Sequence, residues 1–189
     1  MRTIILAVIV SFITLLPAAS YACKYPEPPS FRSALKDAKN VFVFRLDSAE
    51  YKREDLGSGA YTAWVEGKLS PVQNLFGNPI GYKSIKFSTF WCGGVNLVVG
   101  HHYLIATNAK GSNIELVSAD GSVLDIDDFY NPAQKKASLR SQLILPVIKA
   151  IYGIEPLPAS FPPQDIAART VVQPPPPPPP PPPPKEPHF

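Results

Sequence analysis

Apolar residues fall in three rhythms along this chain. Ile4 to Leu16 is an almost unbroken apolar run, the middle of the chain carries short bursts with a period near two, and Pro132 to Tyr152 returns to helical spacing. Within the middle region, Ser30 is placed to cap a short helix in which Phe31, Leu35 and Ala38 share a face. The period then changes. Val41 to Asp47 is β-branched and aromatic, apolar on both faces in its first half and alternating in its second, which predicts a strand. "EYKREDLGSG" reads as a polar loop with glycines. Ala60 to Leu69 sets Tyr61, Ala63 and Val65 against Thr62, Trp64 and Glu66, a strand with one wet face. "SPVQNLFGNPIG" has turn chemistry around a small apolar plug at Leu75 and Phe76, and Ile80 to Phe90 predicts a third strand.

His102 to Ala109 is a strongly apolar fourth strand, and "KGSN" is a tight turn after it. Ile114, Leu116, Val123, Leu124 and Ile126 suggest a fifth, with the Asp120-Gly121 turn continuing it or bending it back. Leu139, Leu143, Ile144, Val147, Ile148 and Ile151 form one face of a terminal helix over Pro132 to Tyr152, with Asn131 as its cap and Pro146 expected to kink or split it. The order is helix, four or five strands, then helix. Parallel sheets need crossovers, and these links are too short for them. The expected fold is therefore mainly β: a five-stranded OB-fold-like Greek-key barrel with a short N-terminal helix and a C-terminal helix.

The ends of the chain set its context. A short positive start before about 13 apolar residues is a signal peptide pattern, because a spanning helix needs roughly 20. Small residues follow it, so residues 1–22 are read as the signal, 23–152 as one domain and 153–189 as a disordered proline-rich tail. Cleavage after Ala22 leaves Cys23 first; cleavage after Ser20 or Ala19 leaves it near the terminus. The location expected is secreted or periplasmic, with no stable membrane insertion after cleavage. The unbroken run Pro174 to Pro184 predicts a solvated polyproline II rod roughly 34 Å long at about 3.1 Å per residue. It is read as a stiff spacer, or as a ligand for a proline-binding partner. The lead-in from Glu155 to Thr170 is expected to lack structure as well.

Composition narrows the function. The formal charge of +3 falls to +2 once Arg2 leaves with the signal, and no basic run suggests nucleic acid. The chain has two cysteines, Cys23 and Cys92. A thiol at Cys92 has three ordinary roles, namely a structural disulfide, a metal ligand or a nucleophile. An oxidising compartment favours joining the two, which in the chain-entropy account stabilises the fold by roughly 4 kcal/mol. His101 and His102 are adjacent on a strand and point to opposite faces, so a shared metal ion is disfavoured. "DGSVLDIDD" lacks the order of a calcium loop and reads as a solvated turn. No Gly-x-Ser-x-Gly, His-Glu-x-x-His, phosphate loop or Cys-x-x-Cys is present. No catalytic set, metal site or cofactor is nominated, and the expectation is a protein that is not an enzyme.

Several stretches taken together resemble a known family. A cysteine just after a signal peptide, "AKNVFVFRLDS", "GKLSPVQNLFG", "KFSTFWCGG" and "VVGHHYLIA", over about Cys23 to Ser118, are similar to the netrin-module and tissue-inhibitor-of-metalloproteinases superfamily, with the short signal and proline tail pointing to a bacterial member. The resemblance implies a Cys23–Cys92 disulfide after the third strand, with Gly93 and Gly94 letting the chain turn beneath the N-terminal segment and Trp91 packing over the bond. It implies that the amine and carbonyl of Cys23 chelate the zinc of a target metalloprotease and that Lys24 enters its specificity pocket. The expected binding edge is therefore Cys23, Lys24, Tyr25 and Trp91. Two departures stand out: the family's inhibitors carry a small hydroxyl residue in place of Lys24, and a second bridged cysteine in place of Tyr25. The function expected is an exported non-catalytic binding module with a protein partner, a zinc metalloprotease in its specific form. The alternative is an envelope spacer or tether that uses the polyproline tail.

Overall fold

The computed structural model describes residues 29–90, 93–127 and 137–172, the side chains of 137–142 excepted. Helix α1 (Phe31–Asp37) starts as expected, with the Ser30 hydroxyl accepting from the Ser33 amide at 3.1 Å. Six strands follow: β1 (Asn40–Gly57), β2 (Ala60–Phe76), β3 (Ser84–Phe87), β4 (His102–Thr107), β5 (Asn113–Glu115) and β6 (Val123–Asp125), then helix α2 (Ala137–Ile151) and a short helix α3 (Gln164–Ala167). They form one mixed sheet in the order β5-β3-β2-β1-β4-β6. The sheet is not closed, so the five-stranded barrel gives way to six strands with free edges at β5 and β6.

The two-sided apolar start of β1 explains its central place. Val41 and Val43 face one core with Leu104, Leu124 and the helical layer, while Phe42 and Phe44 face a second core with Ile85, Tyr103 and Ile114. All four β1 residues are fully buried, as a strand covered on both sides must be. The second core draws side chains from every one of the six strands, so the sheet rolls around it. Tyr82 fastens this roll: its ring stacks on Phe42 at 5.4 Å, and its hydroxyl accepts from the Asn40 side chain and donates to the Ala109 carbonyl.

Four expectations change. First, β3 and β5 pair in parallel. The short-link argument fails there because the two are not consecutive: residues 88–112, with β4 inside them, make the crossover. Second, the loop "EYKREDLGSG" and the turn around Leu75 are strand, because β1 and β2 pair continuously from Val41 opposite Phe76 to Gly57 opposite Ala60, while the third strand shrinks to Ser84–Phe87 and the fifth splits in two. Third, α2 runs through Pro146 without splitting and buries Leu143, Ile144 and Val147; Asn131 lies outside the described residues. Fourth, residues 155–170 are ordered onto the domain. Leu157, Phe161 and Ile166 enter the first core, and the Phe161 ring sits 5.6 Å from that of Phe31. Val171 bridges to Val95, so packed chain extends to residue 172 rather than stopping at 152. Among the described residues no helix is long and apolar enough to cross a membrane.

Candidate binding edge

Cys23, Lys24, Tyr25, Trp91 and Cys92 all lie outside the described residues. What is described is the frame on either side of them. On the N-terminal side, the Pro29 carbonyl accepts from the Gly121 amide at 2.8 Å. A Cβ on Gly121 would stand 2.6 Å from that carbonyl oxygen, so the close seat requires glycine. Asp120, 5% exposed, fixes the loop from below: its two carboxylate oxygens accept from the amides of Ser122 (2.9 Å) and Val117 (3.0 Å). The solvated turn expected from "DGSVLDIDD" is thus a buried, hydrogen-bonded one, because the carboxylates replace water as acceptors for loop amides.

On the other side, the Ala119 amide donates to the Gly93 carbonyl. Gly93 has φ +85°, and Ala119 itself holds φ +53°, a left-handed conformation that costs a non-glycine residue of order 1–3 kcal/mol. The Gly94 amide donates to the Phe90 carbonyl (2.6 Å) and the Val95 amide to the Ser88 carbonyl (2.7 Å), so residues 88–90 and 94–95 are held against each other. The exit of the lead-in arrives at the same place. Asn96 donates to the Thr170 carbonyl and Val172 donates to the Gly94 carbonyl, both at 2.9 Å.

The two histidines are separated, as the strand geometry requires. His101 Nδ1 is 3.0 Å from Asp125 Oδ2, and His102 Nδ1 is 3.1 Å from Asp127 Oδ1. Each imidazole has its own carboxylate, and among the described residues no group of three or more His, Cys, Asp or Glu side chains could hold a metal ion. Tyr103, next in sequence, is fully buried, its hydroxyl accepting from the Val98 amide at 2.6 Å. Burial pushes the phenol pKa up; the Val98 hydrogen bond opposes this, and the Asp125 and Asp127 carboxylates add to the rise.

The sequence reading missed one surface. Beyond the sheet, β1 and β2 continue as a two-stranded arm carrying Tyr51, Leu56 and Tyr61, which are 61%, 63% and 48% exposed. The Arg53 guanidinium lies 4.1 Å from the Tyr61 ring centroid, and the Lys86 ammonium 4.9 Å from that of Trp64. Alternation of Tyr51, Arg53 and Asp55 was the available signal, but no apolar face accompanied it. No protein-family model matches the sequence, and no curated protein matches it.

Proposed function

We propose that the protein is an exported, non-catalytic binding module that acts through its N-terminal segment, and that its specific activity is inhibition of a zinc metalloprotease. The observation that carries this reading is the seat of Pro29 on Gly121, next to Ala119 on Gly93. From Pro29 to Gly93 the path is two hydrogen-bonded contacts and one two-residue step, on the order of 17 Å at most. Six residue steps lead from Pro29 back to Cys23 and, extended, reach about 20 Å. A Cys23–Cys92 bond is therefore within reach of the described frame, and it would set the front of the mature chain beside Trp91. There the free amine and carbonyl of Cys23 would fill a zinc coordination position that a catalytic water otherwise takes. Lys24 would point into the specificity pocket, with Tyr25 and Trp91 flanking. The finer fold reading, a partly open Greek-key barrel, belongs to the same proposal; it draws support from the sheet rolling around the second core and from the parallel β3·β5 pair.

Non-reducing mass spectrometry of the exported protein, followed by inhibition assays on zinc metalloproteases, tests it. The expected result is a mature chain beginning at Cys23, bridged to Cys92, whose inhibition vanishes when one alanine precedes Cys23. A chain that begins at Ser20, Tyr21 or Ala22, or inhibition indifferent to the added alanine, rules out chelation. Two free thiols remove the whole reading.

A further inference from the structure

Among the described residues, nothing covers the far end of the β1–β2 arm. β4 pairs with β1 only as far as Arg45, and β3 pairs with β2 only from Val65 to Lys68, so, among the described residues, 53–57 and 60–63 are paired with each other alone. A two-stranded ribbon of this kind is marginal by itself in water. Its register puts Tyr51 opposite Val65, Arg53 opposite Ala63 and Asp55 opposite Tyr61, so these six side chains share one face. Ala63 is the small residue between two exposed tyrosines, and the Arg53 guanidinium braces the Tyr61 ring. Ala63 is itself covered, so the face offers two exposed tyrosine rings side by side, the chemistry that receives proline rings of a polyproline II segment.

This chain carries such a segment, and its starting point is close by. Val172 is hydrogen bonded to Gly94, Val95 to Ser88, Ser88 follows Phe87, and Phe87 lies opposite Val65, itself opposite Tyr51. That path is on the order of 25 Å at most. The run Pro174–Pro184 spans roughly 34 Å, enough to pass Tyr51 and extend along the arm toward Tyr61, about 13 Å further on. We infer that the proline run of the tail docks along the Tyr51–Ala63–Tyr61 face of its own β1–β2 arm. A proline run favours the extended form before it binds, so docking orders little additional chain, and tethering supplies an effective concentration near the mM range, where weak proline–aromatic contacts suffice. The inference stands whether or not Cys23 chelates zinc, since neither the arm nor the proline run contains that residue.

The test is amide hydrogen exchange on the full exported chain, compared with a variant whose Pro174–Pro184 is replaced by eleven glycine and serine residues. Exchange of the Arg53, Asp55 and Thr62 amides is expected to rise about tenfold in the variant, the ratio of a mM tether to a contact of ~0.1 mM affinity, while β4 amides stay unchanged. Tyr51→Ser with Tyr61→Ser should match the variant, and Tyr51→Phe with Tyr61→Phe should match the parent. Because serine could loosen the arm directly, nuclear Overhauser contacts between proline δ protons and the two tyrosine rings give a second readout in the unaltered chain. Equal arm exchange with either tail overturns the inference, as do missing ring contacts. Protection that grows with protein concentration also overturns it, because the tail would then sit on a second copy.

Discussion

Replacing Gly121 by alanine tests whether the N-terminal segment is seated where the candidate edge requires it. Gly121 is not in the left-handed region, so the added methyl carries no backbone penalty of its own; what it meets is other backbone. The new Cβ would lie 2.6 Å from the Pro29 carbonyl oxygen and 3.3 Å from the Ser30 Cα, and neither can swing aside as a side chain could. Relief requires the Pro29 carbonyl to retreat by most of an ångström, which breaks the 2.8 Å bond from the Gly121 amide. Overpacking costs about 1–3 kcal/mol and the lost hydrogen bond about 1 kcal/mol, so about 2–4 kcal/mol in all. Urea unfolding of the purified protein should show the midpoint falling with an unchanged slope. Gly81→Ala is the control, because nothing lies within 4 Å of its Cβ position, and a change within about 0.5 kcal/mol is expected there. If Gly121→Ala behaves like Gly81→Ala, Pro29 does not rest on that loop, and the reach argument for the disulfide loses its anchor.

Three further outcomes follow from the same structure. Asp120→Asn leaves one of the Val117 and Ser122 amides facing a donor rather than an acceptor, and should cost about 1–3 kcal/mol by denaturant unfolding. Leu104→Ala opens a void in the first core, where the residue is fully buried, with about 2–5 kcal/mol lost. Tyr103 ties stability to alkaline pH. Its folded pKa is raised, so the neutral phenol favours the fold below the ordinary tyrosine pKa of about 10, and stability should fall as pH rises past that value. Tyr103→Phe should flatten this alkaline slope, and a slope that survives the substitution would assign it to other groups.

Some of the architecture was legible because burial leaves a periodic trace. Ser30 before Phe31 marked a helix start, and Val41 to Phe44, apolar on both faces, announced a strand covered from both sides. The arm left no such trace. Its residues are wet on both faces apart from Ala63, so no alternation of apolar with polar was imposed, and charged side chains with glycines read as a loop. The lead-in misleads for the opposite reason: its prolines suggest chain without structure, yet Leu157, Phe161 and Ile166 bury themselves without any regular spacing. Asp120 looked solvated because its burial depends on the folded loop, which places its carboxylate under the amides of Val117 and Ser122. Of the candidate edge, sequence nominated Cys23, Lys24, Tyr25, Trp91 and Cys92; the described structure contributes the seat at Gly121 and the hydrogen bonds at Gly93 and Gly94.

Local chemistry, then, was decided by the chain alone: where apolar runs start, which residues cap and turn, two cysteines and a polyproline run. Pairing was decided only in three dimensions. That β5 runs parallel to β3, that the sheet rolls yet stays open, and that the lead-in closes over the first core all depend on contacts between segments far apart in sequence. A residue's periodicity records which face it shows, but not which distant strand or helix will cover that face.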